Sequence, residues 1–69
     1  MTKTFTAVLH KEEDMYVAEC PEAGTVSQGF SVEEALENLK EVTKVYLEEF
    51  PVPETPKALL TTFDIAVNA

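Results

Sequence analysis

The run Tyr16-Val17-Ala18-Glu19-Cys20-Pro21-Glu22, then Val26-Ser27-Gln28-Gly29, then Ser31-Val32-Glu33-Glu34-Ala35-Leu36-Glu37-Asn38-Leu39-Lys40-Glu41, decides how this chain folds. It reads as two short strands joined by turn chemistry and leading straight into a capped, amphipathic helix. Pro21 suits the second position of a turn, because its ring presets φ near −65°. Gly24 can take the positive φ that other residues avoid. Ser31 and Glu34 have the S-x-x-E spacing of a capping box, in which the hydroxyl accepts from a free backbone N–H and the carboxylate reaches back. Phe30 and Ala35 occupy the two positions where a hydrophobic staple places apolar groups. Val32, Ala35, Leu36, Leu39, Val42, Tyr46 and Phe50 then recur at the spacing of one buried helix face. Glu33, Glu34, Glu37, Lys40, Glu41, Lys44 and Glu48 cover the wet face. Pro51 stops the helix and biases Phe50 out of the helical region.

Working outward, Thr2 to Lys11 alternates, with Phe5, Ala7 and Leu9 on one side and Thr4, Thr6, Val8 and His10 on the other. Its Thr, Val and Phe content favours a strand. Glu12-Glu13-Asp14 is a polar break of hairpin length. Beyond the helix, Pro51, Pro53 and Pro56 make a stiff, extended connector over residues 51–58. Phe63, Ile65 and Val67 then alternate with Thr62, Asp64 and Ala66, the pattern of a last strand. The expected fold is α/β (α+β), a single domain over residues 1–69 with βββαβ order. Strands are expected at about 3–11, 15–20, 25–28 and 59–67, and the helix at about 32–50. A right-handed crossover would set the last strand parallel to the first, giving a four-stranded mixed sheet of order 3-2-1-4 with the helix on one face. The other face, with Val8 and part of the second strand, would need cover from another subunit or protein.

Sixty-nine residues allow one domain at most. A domain this small buries only about 60% of the surface its unfolded chain exposes. Cys20 is the single cysteine, so no internal disulfide reinforces it, and no Cys/His cluster offers a structural metal. A homodimer or higher homo-oligomer is therefore expected. Five basic against thirteen acidic residues leave a net charge of −8. That sign opposes direct binding to nucleic acid, which needs Lys and Arg to displace counterions. It favours a basic protein partner, because opposite fields speed encounter. The first ten residues lack the continuous apolar run of a signal peptide, and no run approaches membrane-spanning length. With one free thiol, the expected location is the cytoplasm, with no membrane association.

No residue set announces catalysis. Asp64, Glu37 and Glu41 could suggest a carboxylate metal site, but the first strand carries no acid between Thr2 and His10, and solvated charge is the ordinary reading. His10 and Cys20 would need hydrogen-bond reach and a third, orienting group to act as a nucleophilic pair. Gly24 and Ser27-Gln28-Gly29 match no phosphate-loop pattern. An anion at the helix N-terminus would meet Glu33 and Glu34. The expectation is a protein that is no enzyme and uses no cofactor or metal.

The same segments, with Thr6-Ala7-Val8-Leu9 before them, resemble the HicB-like antitoxin family in order and spacing over nearly the whole chain. In place of that family's usual Leu-Pro-Gly-Cys after the Pro-Glu pair, this chain has Ala23-Gly24-Thr25, one residue shorter. The resemblance implies a partial ribonuclease H-like fold and the antitoxin half of a toxin–antitoxin system. The implied partner is a small basic RNA-cleaving toxin with a double-stranded-RNA-binding-like fold. Candidate partner-binding residues are Glu12, Glu13, Asp14, Glu19 and Glu22, near the hairpin and the Pro21 turn. The alternative is a stand-alone oligomeric domain that binds a small ligand or serves regulation without a toxin.

Overall fold

A computed structural model describes residues 3–51 and 58–68. Strand β1 spans Val8–Glu12, β2 Met15–Cys20 and β3 Thr25–Gly29, and helix α1 spans Val32–Glu49. The three strands form one antiparallel sheet in the order β1-β2-β3. The β1–β2 register places Val8 opposite Glu19 and Leu9 opposite Ala18. In β2–β3, Glu19 faces Val26 and Cys20 faces Thr25. Because Glu12 pairs with Met15, the hairpin turn is the two residues Glu13-Asp14. Glu13 takes φ 54° there, a left-handed conformation costing a residue with a Cβ about 1 kcal/mol.

The first strand begins later than its alternation predicts, and proline chemistry explains why. In register, Thr6 would face Pro21. Pro21 has no N–H to give, so the ladder ends at Cys20. The backbone N–H of Thr6 instead donates to Glu22 Oε1 at 2.9 Å. Residues 3–7 thus stay outside the sheet, although Phe5, Ala7 and Leu9 do share one side and pack on the core.

The helix starts where the capping residues place it. Ser31 Oγ accepts from the Glu34 N–H at 3.0 Å. Glu34 Oε1 accepts in return from Phe30 N at 2.7 Å, one residue before the usual capping-box donor. Phe30 itself remains 72% exposed, so no staple forms. At the far end, Phe50 N closes on Tyr46 O at 2.8 Å before Pro51. The helix lies on the sheet through Ala35 and Leu39, which meet Ala18 and Cys20 to form the buried core. Two polar ties fix its position. Thr43 Oγ1 meets Thr25 Oγ1 at 2.6 Å inside the protein, and Asn38 Nδ2 donates to Gln28 O at 2.9 Å. Gly29 permits the close approach, because a Cβ there would lie 2.6 Å from Ala35 N.

Two expectations are corrected. Residues 58–68 form no strand, so the four-stranded sheet of order 3-2-1-4 and the βββαβ count give way to a three-stranded βββα arrangement within an α+β fold. Alternation fixes which faces a segment would present, but a strand also needs a hydrogen-bonded neighbour. The 59–67 segment has none among the described residues and is exposed throughout. The bulk of the proline connector, residues 52–57, lies outside the described residues. Secondly, the buried stripe of α1 is Ala35, Leu39 and Thr43, while Val32, Leu36, Val42, Tyr46 and Phe50 are exposed. Three strands at about 4.8 Å spacing span roughly one helix diameter. Only the arc of α1 pointing straight at the sheet is covered.

Candidate functional site

The helix covers one face of the sheet, and among the described residues no element covers the other. The strand register decides what the open face carries. Ala18 and Cys20 point into the core beneath α1, so Met15, Val17 and Glu19 point the other way. Val8, His10 and Glu12 of β1 and Val26 and Gln28 of β3 lie beside them in register. One row across this face is Val8–Glu19–Val26, and the next is His10–Val17–Gln28. Apolar Val8, Val17, Met15 and Val26 are thus interleaved with Glu12 and Glu19. His10 Nε2 lies 2.9 Å from Glu12 Oε2 with both side chains well exposed.

The five acids expected to bind a partner fall into three settings. Glu12 and Glu19 share the open face, roughly 13 Å apart along β2. Glu13 and Asp14 form the exposed hairpin tip at the Glu12 end. Glu22 is partly buried and already engaged. Its carboxylate accepts from Thr6 N at 2.9 Å and from Thr6 Oγ1 at 2.6 Å. The Cys20 thiol adds a weak contact to Oε1 at 3.5 Å. Hydrogen bonds from the Thr6 hydroxyl and then the Thr6 backbone N–H hold the Glu22 carboxyl at a pKa of about 2, below its ordinary 4.5. Glu22 therefore anchors residues 3–7 to the Pro21 turn, while Glu12 pairs with His10 and, with Glu13, Asp14 and Glu19, lies exposed.

The residues considered for catalysis are kept apart. His10 lies on the open face, and Cys20 is buried on the helix side. Asp64 lies on the exposed 58–68 segment. Among the described residues no group of three or more His, Cys, Asp or Glu side chains is placed to hold a metal ion.

A second feature lies on the helix side and was not anticipated from sequence. Phe5, Thr6, Ala7 and Cys20 form one wall of a cleft, and Leu36, Leu39, Thr43 and Leu47 of α1 form the other. Its volume is about 260 Å³, and Lys40 and Lys44 stand at its edge. Phe5 and Ala7 were legible as core-facing residues. That they would face the flank of α1 across a gap follows from the narrow sheet, which sequence patterning does not give.

Sheet, helix and surfaces together define a small acidic α+β domain with one sheet face uncovered among the described residues. Among the described residues no helix is long and apolar enough to cross a membrane. The chain is similar to a UPF0150 protein of Helicobacter pylori strain J99, with 47% identity over 49 residues that make up 70% of this chain and 68% of the relative. It belongs to the UPF0150 family. No protein-family model matches it, and no solved structure does.

Proposed function

We propose that this protein is an antitoxin-like interaction protein that binds a small basic RNA-cleaving protein through the open face of its sheet and acts by binding, without catalysis of its own. The observation that carries the reading is the shared face of Glu12 and Glu19, set around Val8, Val17 and Val26 and continued by Glu13 and Asp14 at the hairpin tip. An apolar centre edged by acids suits a partner whose cationic surface otherwise holds RNA phosphates. Docking there would block RNA by occlusion. The net charge of −8 and the resemblance to HicB-like antitoxins support the same reading.

The test uses the basic product of a neighbouring reading frame, co-expressed with this chain. Glu12→Lys together with Glu19→Lys places repulsion on the face itself, at either end of its apolar residues. Glu13→Lys with Asp14→Lys changes only its rim. Complex formation and RNase inhibition are expected from the wild type, a lost complex from the pair on the face, and a slower, salt-dependent association from the rim pair. Unchanged binding by the Glu12 and Glu19 variant removes this face from the mechanism. If no basic product binds the wild type, the antitoxin reading fails. The stand-alone ligand-binding or regulatory alternative then takes its place, and the apolar cleft beside α1 is the observation that favours it.

A further inference from the structure

We infer that the cleft between Phe5–Ala7 and α1 is the seat of the apolar arm formed by residues 59–67 of a second copy of this chain. The arm is amphipathic in its extended form. Leu59, Thr61, Phe63, Ile65 and Val67 fall on one side, and Leu60, Thr62, Asp64 and Ala66 fall on the other. The four apolar residues on the first side are 93%, 80%, 68% and 81% exposed, so within one chain they touch almost nothing. The Cα radius of gyration is 14.3 Å, against about 11 Å for a compact chain of this length. The arm stands off the body of its own chain.

The cleft complements that arm in shape, polarity and charge. It runs beside residues 5–7, which stay outside the sheet, and Phe5, Ala7, Leu36, Leu39 and Leu47 make its walls apolar. Its two edge charges, Lys40 and Lys44, are positive in a chain with only five basic residues, and the arm carries one charge, Asp64, which is negative. The four apolar side chains bring on the order of 500 Å² per arm. That is apolar surface which a single chain leaves exposed. A second copy is favoured over the arm's own chain because, within one chain, these residues lie exposed and none of them lines the cleft. Reciprocal exchange of this kind closes as a two-fold dimer.

The experiment is sedimentation of the full chain at micromolar concentration. A dimer is expected. Phe63→Asp with Ile65→Asp, on residues exposed within one chain, should leave the helical circular dichroism unchanged and weaken dimerisation at least about 100-fold. Leu36→Glu, at the cleft wall, should do the same. Mixing the arm variant with the cleft variant should restore a heterodimer, because one intact arm then meets one intact cleft. A monomeric wild type, a dimer that survives the arm substitutions, or a mixture that stays monomeric would each overturn the inference. A wild-type monomer whose arm is protected from proteolysis would show the arm seated on its own chain. None of these variants touches the open sheet face, so the outcome is independent of partner binding there.

Discussion

Adding one methyl group at Gly29 tests how the helix is held on the sheet. An ideal Cβ on Gly29 would lie 2.6 Å from Ala35 N and 2.9 Å from the carbonyl carbon and Cβ of Glu34. Two of those three atoms are backbone in the first turn of α1, so no rotamer change relieves the contact. The helix must move, and the ties through Asn38 to Gln28 O and through Thr43 to Thr25 move with it. Overpacking of this kind costs about 1–3 kcal/mol, and an unyielding backbone neighbour puts Gly29→Ala at the upper end. The smaller entropy of the unfolded alanine chain returns up to about 1 kcal/mol. The net loss is about 2 kcal/mol, from a total stability of roughly 3–10 kcal/mol for a domain of this size. In thermal unfolding that amounts to about 10–15 °C. Gly24→Ala is the control. It has φ 75° but nothing within 4 Å of a Cβ, so only backbone strain of about 1 kcal/mol applies. Urea and thermal unfolding followed by circular dichroism, at one fixed protein concentration, should rank wild type above Gly24→Ala above Gly29→Ala. A Gly29→Ala protein within about 0.5 kcal/mol of wild type would refute the close-approach argument.

Thr43→Val should cost about 1–3 kcal/mol, since it strands the buried Thr25 hydroxyl, while Thr25→Val should cost less because a helical Thr43 can turn its hydroxyl to the carbonyl one turn back. The double Val variant should lie close to wild type, and additive losses in this cycle would show that the two hydroxyls do not depend on each other. Glu22→Gln should destabilise the protein at neutral pH in a way that fades with acid. The folded pKa of about 2 lies below the ordinary 4.5, so the stabilisation is complete above the unfolded value and disappears as pH falls from about 4.5 to 2. A wild-type-minus-variant difference that stays constant from pH 7 to pH 2.5 would contradict the assigned role of the Thr6 hydrogen bonds.

Local signals were legible in the sequence where they named their own partner. Ser31 and Glu34 specify a helix start within four residues of each other, and the helix begins there. The hairpin tip at Glu13-Asp14 and the positive φ of Gly24 belong to the same class. Signals that depend on a distant neighbour were less legible. Residues 59–67 alternate as a strand does, yet alternation cannot say whether an edge is waiting for them, and the chain places none beside them. The helix stripe was read too wide for the same reason. Val32, Leu36, Val42 and Tyr46 are apolar at the right spacing, but the sheet beneath is only three strands across. Of the acids expected to meet a partner, Glu22 could not have been set apart from Glu19 by spacing. Its hydrogen bonds come from Thr6, sixteen residues away, and arise because Pro21 cannot donate.

The sheet separates the two surfaces on which the functional proposals rest, and this separation has a consequence. Glu12 and Glu19 lie on the open face, while the cleft lies on the helix side, between Phe5–Ala7 and α1. A chain whose arm fills a second copy's cleft covers the apolar flank left over by the narrow sheet, so dimerisation addresses the marginal core of a small domain. It leaves the acidic face as accessible in the dimer as in the single chain. Each dimer would then present two acidic faces, and a basic partner would meet both without competing for the surface that holds the dimer together. Stability and partner recognition would reside in different residues. Substitutions at Phe63 or Leu36 should change the first, and substitutions at Glu12 or Glu19 the second, with little coupling between them.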